Sequence, residues 1–181
     1  MITDEQQDIC DKVIKWFNTY NIDHITIGGY AGTGKTFLIS QIRKHLNSVN
    51  PRLSVGFITY TGKASFALLS RLKEEDAMFK HDTCGTIHSL IYQPEMEWDK
   101  KEKRMIIKRW VRRDLEDINH ELLIIDEASM VSSKIWNDLK SYSVPIIAVG
   151  DHGQLPPIGD NFNLMNNLDC SLTKIHRQNS Q

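Results

Sequence analysis

One eight-residue string limits this chain more than any other feature. Gly29-Tyr-Ala-Gly-Thr-Gly34-Lys35-Thr36 has the spacing Gly-x-x-x-x-Gly-Lys-Thr, and it joins the apolar run HITIGG at 24–29 to the amphipathic segment KTFLISQIRKHL. A strand on one side and a helix on the other is the context this spacing requires. Glycines let the backbone curl so that successive N–H groups point at one anion, and the helix N-terminus adds its positive end. In such a loop Gly29, Gly32, Thr33 and Gly34 form a phosphate cradle. Lys35 bridges β- and γ-phosphates, and the Thr36 hydroxyl ligates Mg2+. A fortuitous Gly-rich turn is the plain alternative, and the strand–helix context argues against it.

The rest of the chain supplies a matching fold. Ile9, Val13, Trp16 and Phe17 recur at helical spacing between about Asp4 and Thr19. Short apolar runs follow: HITIGG at 24–29, SVGFITY at 54–60, ELLIIDE at 121–127 and VPIIAVGD at 144–151, with a weaker SLTKIH at 171–176. Their β-branched content and abrupt polar ends predict buried parallel strands. The segment after the glycine loop reads as a helix closed by Asn50-Pro51. Alternation of this kind predicts an α/β domain, a mostly parallel sheet flanked by helices, with its ligand crevice at the strands' carboxyl ends.

Composition narrows the function classes. Lys plus Arg is 22 and Asp plus Glu is 23 in 181 residues, a net charge of −1, which excludes a bulk polycationic nucleic-acid binder but not a local basic face. No apolar run approaches the roughly 20 residues needed to cross a bilayer. The polar, acidic N-terminus is no secretory signal, and the three scattered cysteines, Cys10, Cys84 and Cys170, fit reduced thiols. A soluble, cytoplasmic domain is expected. Residues 92–113 break the average: they sum to +4, which leaves −5 for the remainder. A solvated charged hairpin explains such a stretch. However, Trp98 and Trp110 lie within it, and aromatics among cations suit single-stranded nucleic acid. The strings EMEWD and RMIIKRW, flanking KKEK, have the pattern of a small hairpin standing off the sheet.

Leu122-Leu-Ile-Ile-Asp126-Glu127 would deliver two carboxylates to the sheet's C-terminal edge. Asp126 suits a Mg2+ shell, and Glu127 could accept a proton from attacking water. An Asp-Glu pair is also a common helix-start signal. Beside the glycine loop it favours hydrolysis over binding alone.

The order of these strings resembles the superfamily 1B helicases, the Dda-like and RecD-like branch, over about residues 2–178. Ile2-Thr3-Asp4-Glu5-Gln6 resembles the Q motif, implying that Gln6 reads the adenine edge; Thr3-x-x-Gln6 is equally a capping box. Gly29 to Thr36 is motif I. Thr59 to Ala67 resembles motif Ia and Thr86-Ile-His88-Ser89 motif Ib, implying DNA contacts from Thr61, Lys63, Thr86 and His88. A routine strand-to-helix turn and a structural histidine are the bland readings of these two strings. Asp126 to Ser129 is motif II. Val149-Gly-Asp151-His-Gly-Gln154-Leu-Pro-Pro157 resembles motif III, implying a γ-phosphate or water contact from Gln154, and Arg177 falls in a motif IV-like string, implying a γ-phosphate contact.

The resemblance further implies an ATP-binding RecA-like domain (1A) from residues 1–91 and 114–181. Residues 92–113 become a small inserted 1B or pin-like subdomain, with Trp98 as wedge and Lys101 beside it. The family's second RecA-like domain has no counterpart in these 181 residues. The expectation is that this piece binds Mg·ATP weakly, hydrolyses it slowly and does not unwind DNA. The complete protein is expected to be a monomeric 5′-to-3′ DNA helicase. Its expected partners are single-stranded or tailed duplex DNA and replication or recombination proteins, with no membrane. Two rivals stand: a P-loop kinase, for which the basic stretch would be a lid, and a non-catalytic nucleic-acid adaptor.

Overall fold

Strands buried on both faces lose the usual alternation of polar and apolar residues, and four of the apolar runs here do so because helices cover both sides of one sheet. A computed structural model of the chain describes residues 2–19, 23–154 and 161–175. Helix α1 (Asp4–Asn18) leads into β1 (His24–Gly29), α2 (Lys35–Val49), β2 (Val55–Thr59), α3 (Gly62–Glu74), β3 (Thr83–Thr86) and the short α4 (Ile87–Ile91). Next come β4 (Tyr92–Asp99) and β5 (Arg104–Arg112), then β6 (Leu122–Ile125), α5 (Ser133–Lys140), β7 (Ile146–Gly150) and β8 (Cys170–Leu172).

Six strands pair in parallel in the order β3-β2-β6-β7-β1-β8, as the α/β reading expects. The runs at 24–29, 54–60, 121–127 and 144–151 contain β1, β2, β6 and β7, and the run at 171–176 overlaps the end of β8, which starts at Cys170. The last strand stops at Leu172, short of the expected His176. β3 was not expected. Its Thr-Cys-Gly-Thr has no apolar run because it is an edge strand, half-exposed throughout. The pleat sends Ile25, Ile27, Val55, Phe57, Leu122, Ile124, Ile147 and Val149 to the side covered by α1, α2 and α3. Ile58, Leu123, Ile125, Ile146 and Ala148 face α4 and α5. Each fully buried side chain of this size contributes about 1.5–3 kcal/mol.

Parallel pairing puts every carboxyl end on one edge. β7 lies between β1 and β6, so the glycine loop after β1, the Asp-Glu pair after β6 and the Gly-Asp string after β7 emerge side by side. β4 and β5 form a separate two-stranded antiparallel hairpin. Cys10, Cys84 and Cys170 are free thiols. Among the described residues no helix is long and apolar enough to cross a membrane.

One buried ion pair fixes α2 to the sheet. The Arg43 and Asp82 side chains are both fully buried. Nε of Arg43 donates to Oδ2 of Asp82 at 2.8 Å, and Nη2 donates to Oδ1 at 2.9 Å and to the Leu53 carbonyl at 3.2 Å. Asp82 also accepts the backbone N–H groups of Val55 and Phe79, and the guanidinium lies 4.6 Å from the Phe79 ring centre. A charge this deep is tolerated only while its partner stays. Asp82→Ala is therefore expected to cost about 3–5 kcal/mol in urea unfolding, with the double change Arg43→Met, Asp82→Leu recovering part of the loss.

Candidate functional site

The glycine loop is built by backbone demands. Gly32 and Gly34 adopt φ of 83° and 82°, the left-handed region that side chains disfavour. A Cβ on Gly29 would lie 2.5 Å from the Thr33 hydroxyl and 3.0 Å from Leu172. Thr33 is fully buried, and its hydroxyl donates to the Tyr30 carbonyl at 2.9 Å, stapling the loop. Gly34 is the N-cap of α2 and no side chain caps it, so the first-turn N–H groups stay available to an anion. Lys35 lies back across the loop, donating to the Gly29 carbonyl at 2.7 Å and the Tyr30 carbonyl at 3.0 Å. Burial pulls its pKa down, while the charges of Asp151, Asp126 and Glu127 oppose the fall. Thr36, half-buried in the first turn of α2, accepts from Ser40 through its carbonyl.

Asp126 and Glu127 stand opposite. The Asp126 N–H donates to the Ile58 carbonyl at 3.0 Å and continues the β2–β6 ladder to this point. Burial pushes the Asp126 carboxyl up to about 6 and neighbouring Glu127 adds to the rise; the Glu127 N–H, donating at 2.9 Å, and Lys35 oppose it. Glu127 is exposed and held at φ 58°, strain of about 1–3 kcal/mol for a residue with a side chain. Buried Ser129, two residues on, donates to Oε1 of Gln154 at 2.8 Å. That bond leaves the Gln154 amide N–H groups to point elsewhere. Asp151 accepts from Gly153 N–H at 2.9 Å, and the Tyr30 and His152 ring centres are 4.3 Å apart, bridging the two loops.

Lys35, Thr36, Asp126, Glu127 and Gln154 therefore sit on three neighbouring strand ends. Asp151 and Ser129 join them without having been assigned roles from the sequence. The signal for Asp151 was its place at a strand's polar end, and Ser129 carried none, since its role depends on meeting Gln154. Gln6 is buried and completes a capping box: its Oε1 accepts the Thr3 N–H, and its own N–H donates to the Thr3 hydroxyl. Glu5 accepts from the N–H groups of Thr173 and Lys174 and from the Thr173 hydroxyl, which brings the start of α1 to the same sheet edge. The Thr173 hydroxyl bond holds the Glu5 carboxyl below its usual range. Arg177 and residues 155–160 lie outside the described residues.

The β2 and β3 ends carry a second group. Thr61 caps α3, accepting from the Ala64 N–H at 3.2 Å, and Lys63 and Phe66 are exposed beside it. Thr86 caps α4, and exposed His88 has the Tyr60 and Tyr92 rings at 6.1 and 5.5 Å. Thr61, Lys63, Thr86 and His88 thus share one stretch of edge. Trp98 and Lys101 lie away from it, at the hairpin tip. There the pleat sorts what the sequence mixes. Pro94↔Trp110, Met96↔Ile107 and Trp98↔Met105 are cross-strand pairs on one face. The opposite face carries the Arg109–Glu95 ion pair at 2.6 Å and Lys108–Glu97 at 3.3 Å.

A family model described as an AAA domain matches residues 15–160. Over 176 residues the chain is 31% identical to the ATP-dependent DNA helicase dda of Enterobacteria phage T4, a match covering 87% of this chain and 35% of that protein. It is 28% identical over 170 residues to an uncharacterized protein of Acanthamoeba polyphaga mimivirus, covering 88% of this chain and 34% of that one. The crystal structure of Bacteroides sp Pif1 in complex with ADP-AlF4 shares the fold, with a TM-score of 0.59 at 23% identity over 98% of this chain and 43% of that one. The chain spans about a third of the length of these two curated relatives.

Asp126 provides a direct test of what the site costs. Its folded pKa lies above its ordinary value, so the fold disfavours the charged form; the cost is present above about pH 6 and gone below the unfolded value near 4. Asp126→Asn keeps an oxygen for the Glu127 N–H. It is expected to stabilise the ligand-free chain by on the order of 1 kcal/mol at about pH 7.5, and not at roughly pH 4, in thermal melts.

Proposed function

The chain belongs to the AAA-domain family, and from that premise we propose that it is a Dda-like helicase motor domain of superfamily 1B, binding and hydrolysing Mg·ATP on single-stranded DNA within a 5′-to-3′ DNA helicase. The observation that carries the reading is the meeting of three strand ends, where Lys35 is acted on by Asp126, Glu127 and Asp151 while Ser129 holds Gln154.

The proposed roles follow from position. Gly29, Gly32, Thr33, Gly34 and the uncapped start of α2 receive the phosphates. Lys35 leaves its two carbonyl partners for the β- and γ-phosphate oxygens. Thr36 and Asp126 are the residues that would hold Mg2+, which neutralises charge on the phosphates as the bond breaks. Their donor chemistry fits that ion: a hydroxyl and a carboxylate are hard oxygen donors, and Mg2+ takes one or two protein oxygens with phosphates and water for the rest. Burial holds the half-buried Asp126 carboxyl up at about 6, and a bound divalent cation would favour its charged form. Glu127, fixed in its left-handed turn, accepts the proton of attacking water. Gln154 donates to the γ-phosphate through the amide N–H groups that Ser129 leaves free. Gln6 is assigned to the adenine edge and Arg177 to the γ-phosphate by resemblance alone.

DNA is proposed to cross the edge carrying Thr61, Lys63, Thr86 and His88, contacts that position a backbone without reading bases. Residues 92–113 act as the inserted 1B element, with Trp98 and Lys101 at the tip meeting the duplex. Residues 1–91 and 114–181 form the 1A motor unit. Replication or recombination proteins are the proposed partners, and the cell interior the place of work.

ATPase assays with and without single-stranded DNA test this reading. DNA is expected to stimulate turnover, and Lys35→Ala to lower it by about a hundredfold or more, the scale of losing a transition-state cation. DNA affinity is expected to fall steeply between roughly 50 and 200 mM salt. Turnover indifferent to DNA favours a kinase, and DNA binding without turnover favours an adaptor. In the complete gene product, preference for 3′-tailed over 5′-tailed duplexes overturns the direction.

A further inference from the structure

β4 and β5 pair only with each other among the described residues, so the contacts where the chain enters and leaves the hairpin set its direction. Both meet the end of α5. The Tyr92 hydroxyl donates to Oδ2 of Asp138. On the returning strand Arg112 donates to the Ser141 hydroxyl at 3.0 Å and lies 3.7 Å from Oδ1 of the same Asp138. The Arg112 guanidinium also stands 5.9 Å from the Tyr142 ring centre. Buried Tyr142 donates to the carbonyls of Ile91 at 3.2 Å and Arg113 at 2.8 Å, the residues flanking the hairpin. The Arg113 N–H closes the base by donating to the Ile91 carbonyl at 2.8 Å. Asp138 engages a side chain of each strand, Tyr92 on β4 and Arg112 on β5.

The other end of α5 belongs to the nucleotide edge. From Glu127 the chain passes through a 3-10 turn at Ala128–Met130 and reaches α5, capped by Ser132, at Ser133. Ala128, Val131, Ile135, Trp136 and Leu139 are buried in the core on that side of the sheet. A packed helix of eight residues, about 12 Å long, has little freedom to bend between its ends. Burial and the bond to Asp138 push the Tyr92 hydroxyl up to about 12, so it remains a donor at neutral pH.

We propose that Asp138 is a positioning residue: by holding Tyr92 and Arg112 together it makes the hairpin move as one body with α5, and so ties the hairpin's direction to the occupant of the nucleotide site. The inference rests on the nucleotide-site reading above and adds to it the route by which that site reaches the insertion. Asp138 touches neither nucleotide nor DNA in this account.

Hydrogen exchange on this chain tests it, with Mg2+ and a non-hydrolysable ATP analogue as probe. In the unmodified chain the analogue is expected to change exchange at the amides of 92–95 and 109–112 by about threefold or more. Asp138→Asn, nearly the same shape, is expected to bind the analogue with affinity within about twofold and to lose that change. Tyr92→Phe should behave alike, and the double variant no worse than either, since all three break one clamp. Without nucleotide, Asp138→Asn is expected to speed exchange at the hairpin base by about tenfold, the loss of one charge-assisted hydrogen bond, and to leave the six-stranded sheet unchanged. A hairpin that answers the analogue equally in Asp138→Asn overturns the proposal, as does one that ignores the bound analogue in the unmodified chain. If the analogue does not bind at all, the nucleotide reading and the route fail together. The clamp itself then stands or falls on the nucleotide-free comparison.

Discussion

A parallel sheet buried on both faces leaves the chain only its two edges on which to be irregular. Inside the layers every backbone N–H and C=O must pair, and the ladders through β3, β2, β6, β7, β1 and β8 do that work. The carboxyl edge carries two left-handed glycines, an uncapped helix start, a left-handed glutamate and a half-buried aspartate, while Asp76, Lys103 and Ser143 take the left-handed conformation in turns elsewhere. The order of the strands does the rest. With β7 between β1 and β6, Gln154 is placed between the phosphate loop and the acidic pair, and the Ser129 hydroxyl links the loop after β6 to Gln154.

That edge lowers stability locally, and the remainder of the fold offsets it. Lys35 is partly desolvated, Asp126 is held against its preferred protonation, and Glu127 carries backbone strain. Away from the site the caps and the main ion pair are formed, although among the described residues Arg43 Nη1 and His120 Nδ1 are buried without a hydrogen-bond partner. Thr3 and Gln6 cap α1 reciprocally, Ser132 caps α5, and the forked Arg43–Asp82 pair accounts for both carboxylate oxygens in the interior. A chain optimised for stability alone would keep the second group and discard the first. The contrast is an argument from energetics that the carboxyl edge exists for a ligand.

What could be read from residue order, and what could not, divides along the same physical line. β1, β2, β6 and β7 were readable because two-sided burial writes itself as an apolar run. β3 was not, since an exposed edge strand of Thr-Cys-Gly-Thr needs no such run. The glycine loop was readable because its spacing is imposed by backbone geometry local in sequence. Ser129 depends on a partner 25 residues away and nothing local marks it, while Asp151 is marked only by its place at a strand's polar end and meets Lys35 from another strand. Arg43 lies within the amphipathic segment KTFLISQIRKHL, and only the fold shows Asp82, 39 residues on, pairing with it in the interior.

The insertion shows the same limit in its charges. Its +4 reads as a basic patch threaded with tryptophan, but strand alternation places Trp98 and Trp110 on one face with Met96, Met105 and Ile107, and turns Arg104, Lys108 and Arg109 to the other. There Arg109 and Lys108 are neutralised by Glu95 and Glu97, while Arg104 pairs with Glu102 and Arg112 with Asp138. The exposed lysines Lys100, Lys101 and Lys103 stand at the turn. The hairpin is thus less a charged surface than an arm of roughly 25 Å with its free cations at the far end, beside Trp98. Small rotations at the base become large displacements at such a tip. The energetic burden of aiming it therefore falls on the few groups of α5 that grip Tyr92 and Arg112, rather than on any residue that touches a nucleic acid.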